Sequence, residues 1–210
     1  MNNFSPNMIK TYLLCPKKYY FQYIENINMP KSALPFEKGK KIHALANYYL
    51  QKIKIDRIET ALTANEREVW ELLKQNPFYN MDYVKSEFAL SIKISNFWLG
   101  GRLDALVHSE NNYFILDYKT GSIPKNPQYD PQTMVYLLCA DRYLKNFNSL
   151  SFVYIDLKNK QNHVIEFNEE LKTKYEQELY KICNQIISDT IFKCNNNSCK
   201  FCEFNKICNK

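Results

Sequence analysis

Gly100-Gly101-Arg102-Leu103-Asp104, then Asp117-Tyr118-Lys119, then Gln132 and Tyr136 decide how this chain reads. The first acid closes an apolar, strand-like run. The second acid and a lysine sit two residues apart on the next such run. Strand alternation puts Ile115, Asp117 and Lys119 on one face, with Phe114, Leu116 and Tyr118 on the other. The same rule puts Asp104, Leu106 and His108 together on the preceding strand, opposite Leu103, Ala105 and Val107. Two carboxylates can hold Mg²⁺ or Mn²⁺, and a neighbouring lysine can steady an attacking water or a charged phosphate. The trio therefore suits metal-assisted cleavage of a phosphodiester. Three of the four glycines, Gly100, Gly101 and Gly121, flank it, and glycine in a strand permits a bulge or a close approach, here by substrate. Gln132 and Tyr136 are one turn apart on the next helical segment, hence on one face. A glutamine there can donate to and accept from a phosphate, a base or the lysine.

Working outward, Tyr83 to Ile94, Phe97 to His108 and Tyr113 to Lys119 read as three strands joined by Ser95-Asn96 and Glu110-Asn111-Asn112. A helix is expected from about Pro131 to Leu144, strands over Ser151–Leu157 and His163–Phe167, and a long helix over Glu169–Ser188. Upstream, Ser5-Pro6 caps a helix that breaks near Cys15-Pro16 and resumes through Tyr19 to Ile24. Residues 36–53 form a second helix with Ile42, Leu45, Ala46 and Tyr49 on one face, and Thr63-Ala64-Asn65-Glu66 is a capping box opening a third. The order predicts an α/β fold, a mixed sheet flanked by helices.

With 210 residues and 45% hydrophobic content the chain can bury a sizeable core. No apolar run is long enough to span a membrane, and the first residues lack a signal-peptide pattern, so a soluble cytoplasmic protein is expected. The net charge of +6 is concentrated: residues 1–54 hold nine lysines against Glu25 and Glu37. A basic face opposite an acidic metal site would let lysines hold a nucleic-acid backbone while acids hold the metal. No phosphate-binding loop of the Gly-x-x-x-x-Gly-Lys-Ser/Thr type is present, so ATP hydrolysis by that route is excluded.

Seven scattered cysteines, an odd number, argue for metal binding over a disulfide framework. Cys199-x-x-Cys202 and Cys208 can offer three thiolates from one loop. The spacing leaves the fourth ligand open between Cys194 nearby and Cys15 far away, and an S₄ set suits zinc and iron equally. Cys139 and Cys183 fall among apolar helical neighbours and read as core residues, and His108 and His163 as structural.

Gly-x-x-Asp, Asp-x-Lys and Gln-x-x-x-Tyr together resemble the PD-(D/E)XK nuclease superfamily, in particular its RecB-type branch. The resemblance implies a single restriction-endonuclease-like domain over residues 1–210, with a helical part (1–75), a nuclease core (83–190) and a cysteine-bearing tail (191–210). It implies that Asp104 and Asp117 bind the divalent metal, that Lys119 is catalytic, and that Gln132 and Tyr136 support substrate binding. His43, which follows Gly39-Lys40-Lys41-Ile42, would be a further metal ligand. Glu87, on the preceding strand, reads either as a supporting acid for that site or as a solvent-facing strand acid. One branch with a cysteine near the N-terminus and three at the C-terminus, similar to the AddB nuclease domain and the CRISPR-associated four-cysteine exonucleases, implies a [4Fe–4S] cluster on Cys15, Cys199, Cys202 and Cys208. Zinc is the alternative occupant. The cluster would staple the N-terminal helices to the tail. The function so implied is a Mg²⁺- or Mn²⁺-dependent deoxyribonuclease, an exonuclease on single-stranded DNA, working alone or beside a helicase or integration complex. The competing readings are a catalytically silent nucleic-acid-binding or assembly subunit and a structural zinc protein. The first does not explain the intact trio, and the second leaves residues 100–136 unexplained.

Overall fold

The computed structural model describes residues 2–29 and 34–208. A short strand β1 (Asn2–Phe4) leads into α1 (Pro6–Leu14), capped by Ser5, whose hydroxyl accepts from the Met8 amide. Cys15 is extended, and Pro16 opens α2 (Pro16–Tyr19), which widens into one π-helical turn over Tyr20–Ile24. The break thus falls where the Cys-Pro pair predicts it. α3 (Leu34–Leu50), α4 (Asp56–Thr60) and α5 (Ala64–Lys74) follow, and the Thr63/Glu66 capping box is fully formed.

The sheet comes from β2 (Asp82–Ile94), β3 (Phe97–Ser109), β4 (Asn112–Lys119), β5 (Ser149–Asp156) and β6 (Gln161–Glu166) together with β1. Its order is β1-β3-β4-β5-β6, with β2 pairing β3 as well. β1 with β3 and β4 with β5 are parallel; the other pairs are antiparallel. Between β4 and β5 the chain crosses over through α6 (Pro131–Tyr143), as a parallel pair requires. α7 (Glu169–Ser188) follows β6.

Two buried clusters lie on the two faces of the sheet. One packs Ile9 and Tyr12 of α1, Val135, Leu137 and Leu138 of α6 and Leu179 and Ile182 of α7 against Leu99, Ile115 and Phe152. The other packs Ile42, Leu45 and Ala46 of α3 and Trp70 and Leu73 of α5 against Val107, Leu116 and Tyr118. Tyr49, expected on the same buried face, is 42% exposed and stacks on Tyr79. Alternation holds along β4, where Ile115 and Leu116 fall into opposite clusters. It fails on β3. Leu103 shares a cluster with Leu106, while Ala105 and Val107 belong to the other, so the expected grouping of Leu103 with Ala105 and Val107 is wrong. The phase changes at Asp104. Across from it on β2 is Glu87, set there by the flanking pairs Ser86–Ala105 and Phe88–Leu103 and held at φ 47°, which is strained for a non-glycine residue. No strand pattern reports such an irregularity in advance.

Among the described residues, no helix is long and apolar enough to cross a membrane.

Candidate active site

The β3–β4 ladder runs from Ser109–Asn112 to Ala105–Leu116 and then stops. Beyond that point the strands part, and the next β4 amide loses its strand partner. Asp104 fills the gap: its Oδ2 accepts from Tyr118 N at 3.1 Å. From the backbone of the same residue, the Tyr118 carbonyl oxygen lies 3.0 Å from His43 Nε2, and His43 Nδ1 lies 3.1 Å from Asp104 Oδ1. The residue between Asp117 and Lys119 therefore serves through its backbone, fixing both His43 and Asp104.

That arrangement leaves a proton question. Both imidazole nitrogens face oxygen acceptors, and a neutral imidazole has only one N–H. A second positive centre is needed between His43 and Asp104, either a proton or a cation. Burial pulls the His43 pKa down, but the bond to Asp104 and the charges of Asp104 and Asp117 outweigh it, and the net direction is up. His43, Glu87 and Asp104 can each offer one ligand atom within 4.8 Å of the others. Glu87 also forms an ion pair with Arg102, whose Nε is 2.8 Å from Glu87 Oε2.

Asp117 is nearly sealed at 3% exposure. Its Oδ1 accepts from Gln132 Nε2. Its Oδ2 forms an ion pair with Lys119 Nζ at 2.8 Å and has no hydrogen-bond partner among the described residues. Burial first, then the charge of Asp104, raise the Asp117 pKa against the opposing pull of Lys119. Asp117 offers a further carboxylate oxygen to the cleft, though among the described residues the ligand atoms that converge are those of His43, Glu87 and Asp104. Lys119 Nζ also sits 5.7 Å from the Tyr154 ring centroid, which limits where the ammonium can swing.

α6 brings the last two residues in. Asp130 caps it by accepting from Gln132 N, and Lys10 of α1 bridges Asp130 Oδ1 at 2.7 Å and Gln132 Oε1 at 3.4 Å. Gln132 thus orients Asp117 directly, a contact the spacing does not disclose. Tyr136 donates to the Arg102 carbonyl at 2.9 Å. Its ring lies so near Gly101 that a Cβ there would come within 2.9 Å of it. Gly101→Ala is therefore expected to displace Tyr136 and destabilise the protein by about 1–3 kcal/mol. Thermal melting checks this, and an unchanged midpoint would mean that the ring yields without cost.

These groups open onto one cleft of about 970 Å³, lined by His43, Glu87, Asp104, Asp117, Lys119, Gln132 and Tyr136, with Lys40 and Tyr48 at its wall. Four lysines of the N-terminal part can be placed. Lys40 lines the cleft and Lys10 supports it, whereas Lys41 pairs with Glu66 and Lys18 with Glu203. His108 binds the turn carbonyl of Glu110 and lies on Tyr113, away from the cleft.

A second cavity, of about 270 Å³, lies where the tail meets α1 and α2. Cys15, Cys199, Cys202 and Cys208 all line it, and so does Cys194. Cys194 Sγ is 3.4 Å from Cys199 Sγ and 3.8 Å from Cys208 Sγ. Contact with Cys199, then burial, push the Cys194 pKa up to about 12. Spacing had offered Cys194 and Cys15 as alternatives, and both are present. Asn195 ties the ends together, its amide to Cys15 Sγ at 3.3 Å and its side chain to the Leu14 carbonyl at 2.8 Å. Cys139 and Cys183 are buried in the core, where burial raises both thiols to about 12.

The chain matches the family model described as the PD-(D/E)XK nuclease superfamily over residues 3–89 and 58–209. It is 23% identical over 207 residues to the CRISPR-associated exonuclease Cas4 of Francisella tularensis subsp. novicida (strain U112), covering 97% of this chain and 92% of that protein. Its fold is similar to that of a crystal structure from Eubacterium rectale, of a protein described as a candidate exonuclease, with a TM-score of 0.62 at 12% identity over 100% of this chain and 90% of that one. The family match spans the two acids, the lysine and the cysteine tail alike, and by it this chain belongs to the PD-(D/E)XK nuclease superfamily.

Proposed function

We propose that the protein is a divalent-metal-dependent deoxyribonuclease that acts as an exonuclease on single-stranded DNA. The observation that carries this reading is Asp117 Oδ2, buried, without a hydrogen bond, beside Lys119 in an open cleft. In this reading His43, Asp104 and Asp117 hold Mg²⁺ or Mn²⁺, with Glu87 within reach. Bound there, the cation would acidify a water and neutralise phosphate charge. Lys119 supplies a fixed positive charge beside the reacting phosphate. Gln132 keeps the Asp117 carboxylate turned, and Tyr136 holds the β3 backbone at Arg102. Residues 1–210 act as one nuclease domain. The single-strand preference rests on similarity to the RecB-type exonucleases. DNA repair, recombination, phage replication and CRISPR adaptation are the settings this activity suits, with a helicase or integration complex as possible partner.

The same reading gives the second cavity a [4Fe–4S] cluster on Cys15, Cys199, Cys202 and Cys208. A lone tetrahedral zinc would hold four sulfurs roughly 3.8 Å apart. The choice of an iron–sulfur cluster over zinc rests on similarity to the four-cysteine exonucleases. Five thiols for four positions leave Cys194 as the surplus one. Cys194→Ser is then expected to retain iron and sulfide, whereas Cys199→Ser loses them. Elemental analysis after anaerobic purification decides, and metal loss in Cys194→Ser would move that residue into the ligand set.

The nuclease assignment is tested with anaerobically purified protein, end-labelled single- and double-stranded DNA, and Mn²⁺ or Mg²⁺, beside an Asp117→Ala/Lys119→Ala control. Equal cleavage by both proteins would refute it. Binding without cleavage by the unaltered protein would favour a silent assembly subunit.

A further inference from the structure

Next to the catalytic cleft lies a groove of about 750 Å³ that no step above uses. Ser5, Gly101 and Arg102 line both, so the two are continuous. The groove runs along β3 away from Asp104. Phe97 and Leu99 are buried, which leaves Trp98, Gly100 and Arg102 alternating onto the opposite face. Trp98 is 37% exposed, unusual for the bulkiest apolar side chain, and register places Lys93 of β2 directly across from it. Between Trp98 and Arg102 the floor is flat. A Cβ on Gly100 would fall 2.5 Å from the Leu90 carbonyl oxygen, so no side chain can stand there. The Arg102 side chain is 68% exposed and pairs with Glu87 through Nε.

A flat floor with an exposed indole and Lys93 at one end and Arg102 at the other has the parts of a single-strand binding path: cations follow the phosphates, and an aromatic face takes a base. We propose that this face of β3 carries the strand leaving the cleft, and that Trp98 is a base-stacking platform for it. Six residues separate Trp98 from Asp104, about 20 Å along a strand. The ligand is a single-stranded nucleic acid reaching that far from the scissile phosphate. The inference rests on the nuclease reading for the position of that phosphate.

The chain has two tryptophans, and Trp70 is 1% exposed. Fluorescence quenching by a single-stranded oligonucleotide, with Ca²⁺ in place of Mg²⁺, therefore reports on Trp98. Quenching is expected in the unaltered protein and not in Trp98→Phe, which should still bind. Trp98→Ala should weaken binding about 5- to 150-fold. One abasic position in the oligonucleotide should cost the unaltered protein a similar factor and cost Trp98→Ala nothing. Oligonucleotide cleavage without quenching, or an abasic penalty equal in both proteins, would overturn the Trp98 role and leave the nuclease intact. Quenching without any cleavage would do the reverse.

Discussion

Asp117→Asn is expected to lower DNA cleavage at least about a thousandfold while melting no lower than the unaltered protein. Both halves follow from one environment. Asp117 is 3% exposed, its Oδ1 accepts from Gln132, and its Oδ2 has no hydrogen bond. Burial and then Asp104 raise its pKa above the unfolded value of about 3.9. The folded state thus holds the proton more tightly than the unfolded one. The stability this group contributes is full at low pH and is lost as pH rises toward and through the folded pKa. In the metal-free protein, burial and Asp104 thus disfavour the Asp117 charge. Asparagine keeps the shape and an acceptor for Gln132 and removes that charge. It also removes a donor for the cation, so added Mn²⁺ should raise the melting point of the unaltered protein more than that of the variant. Initial rates on end-labelled DNA and melting curves in chelator and in Mn²⁺ measure all of this. Cleavage within tenfold of the original would take Asp117 out of the chemistry. A lower melting point in chelator would mean that the charge holds the fold.

The second large effect lies at the other end of the molecule. Cys199→Ser is expected to lower the melting midpoint by about 10–20 °C. A crosslink joining residues 15 and 199 restricts almost the whole unfolded chain, worth about 5 kcal/mol in loop entropy. Each kcal/mol moves a chain of this size by about 2–4 °C. Without the proposed cluster, the contacts holding the tail include Lys18 with Glu203, Phe21 against Phe204, Tyr12 donating to Asp189 at 2.7 Å, and the Asn195 pair. They can hold the tail in place without fixing it in the unfolded chain. Calorimetry of anaerobic samples tests the point, with Cys183→Ser, a core substitution away from the cavity, as comparison. Equal shifts in the two variants would reduce the cavity to ordinary packing.

The sequence by itself determined the parts. Period-two runs gave the strands of the sheet to within one or two residues, and local capping gave the helix starts at Ser5 and Thr63, because both signals depend on near neighbours alone. The pattern of acids, lysine, glutamine and tyrosine gave the family, since those residues lie within one strand–strand–helix stretch. Short elements such as β1 and α4 escaped, being too brief to show a period.

Only the tertiary structure decided how the parts meet. It brings Lys10, 122 residues from Gln132, onto the helix that orients Asp117. It breaks β3 alternation at Asp104 and sets a strained Glu87 opposite. It makes the Tyr118 peptide the support of His43 and Asp104, a role carried by backbone atoms that every residue possesses and no motif can mark. It brings Cys194 into one cavity with Cys15, Cys199, Cys202 and Cys208. Such contacts join residues far apart along the chain, where spacing carries no signal and only packing brings them within bonding distance.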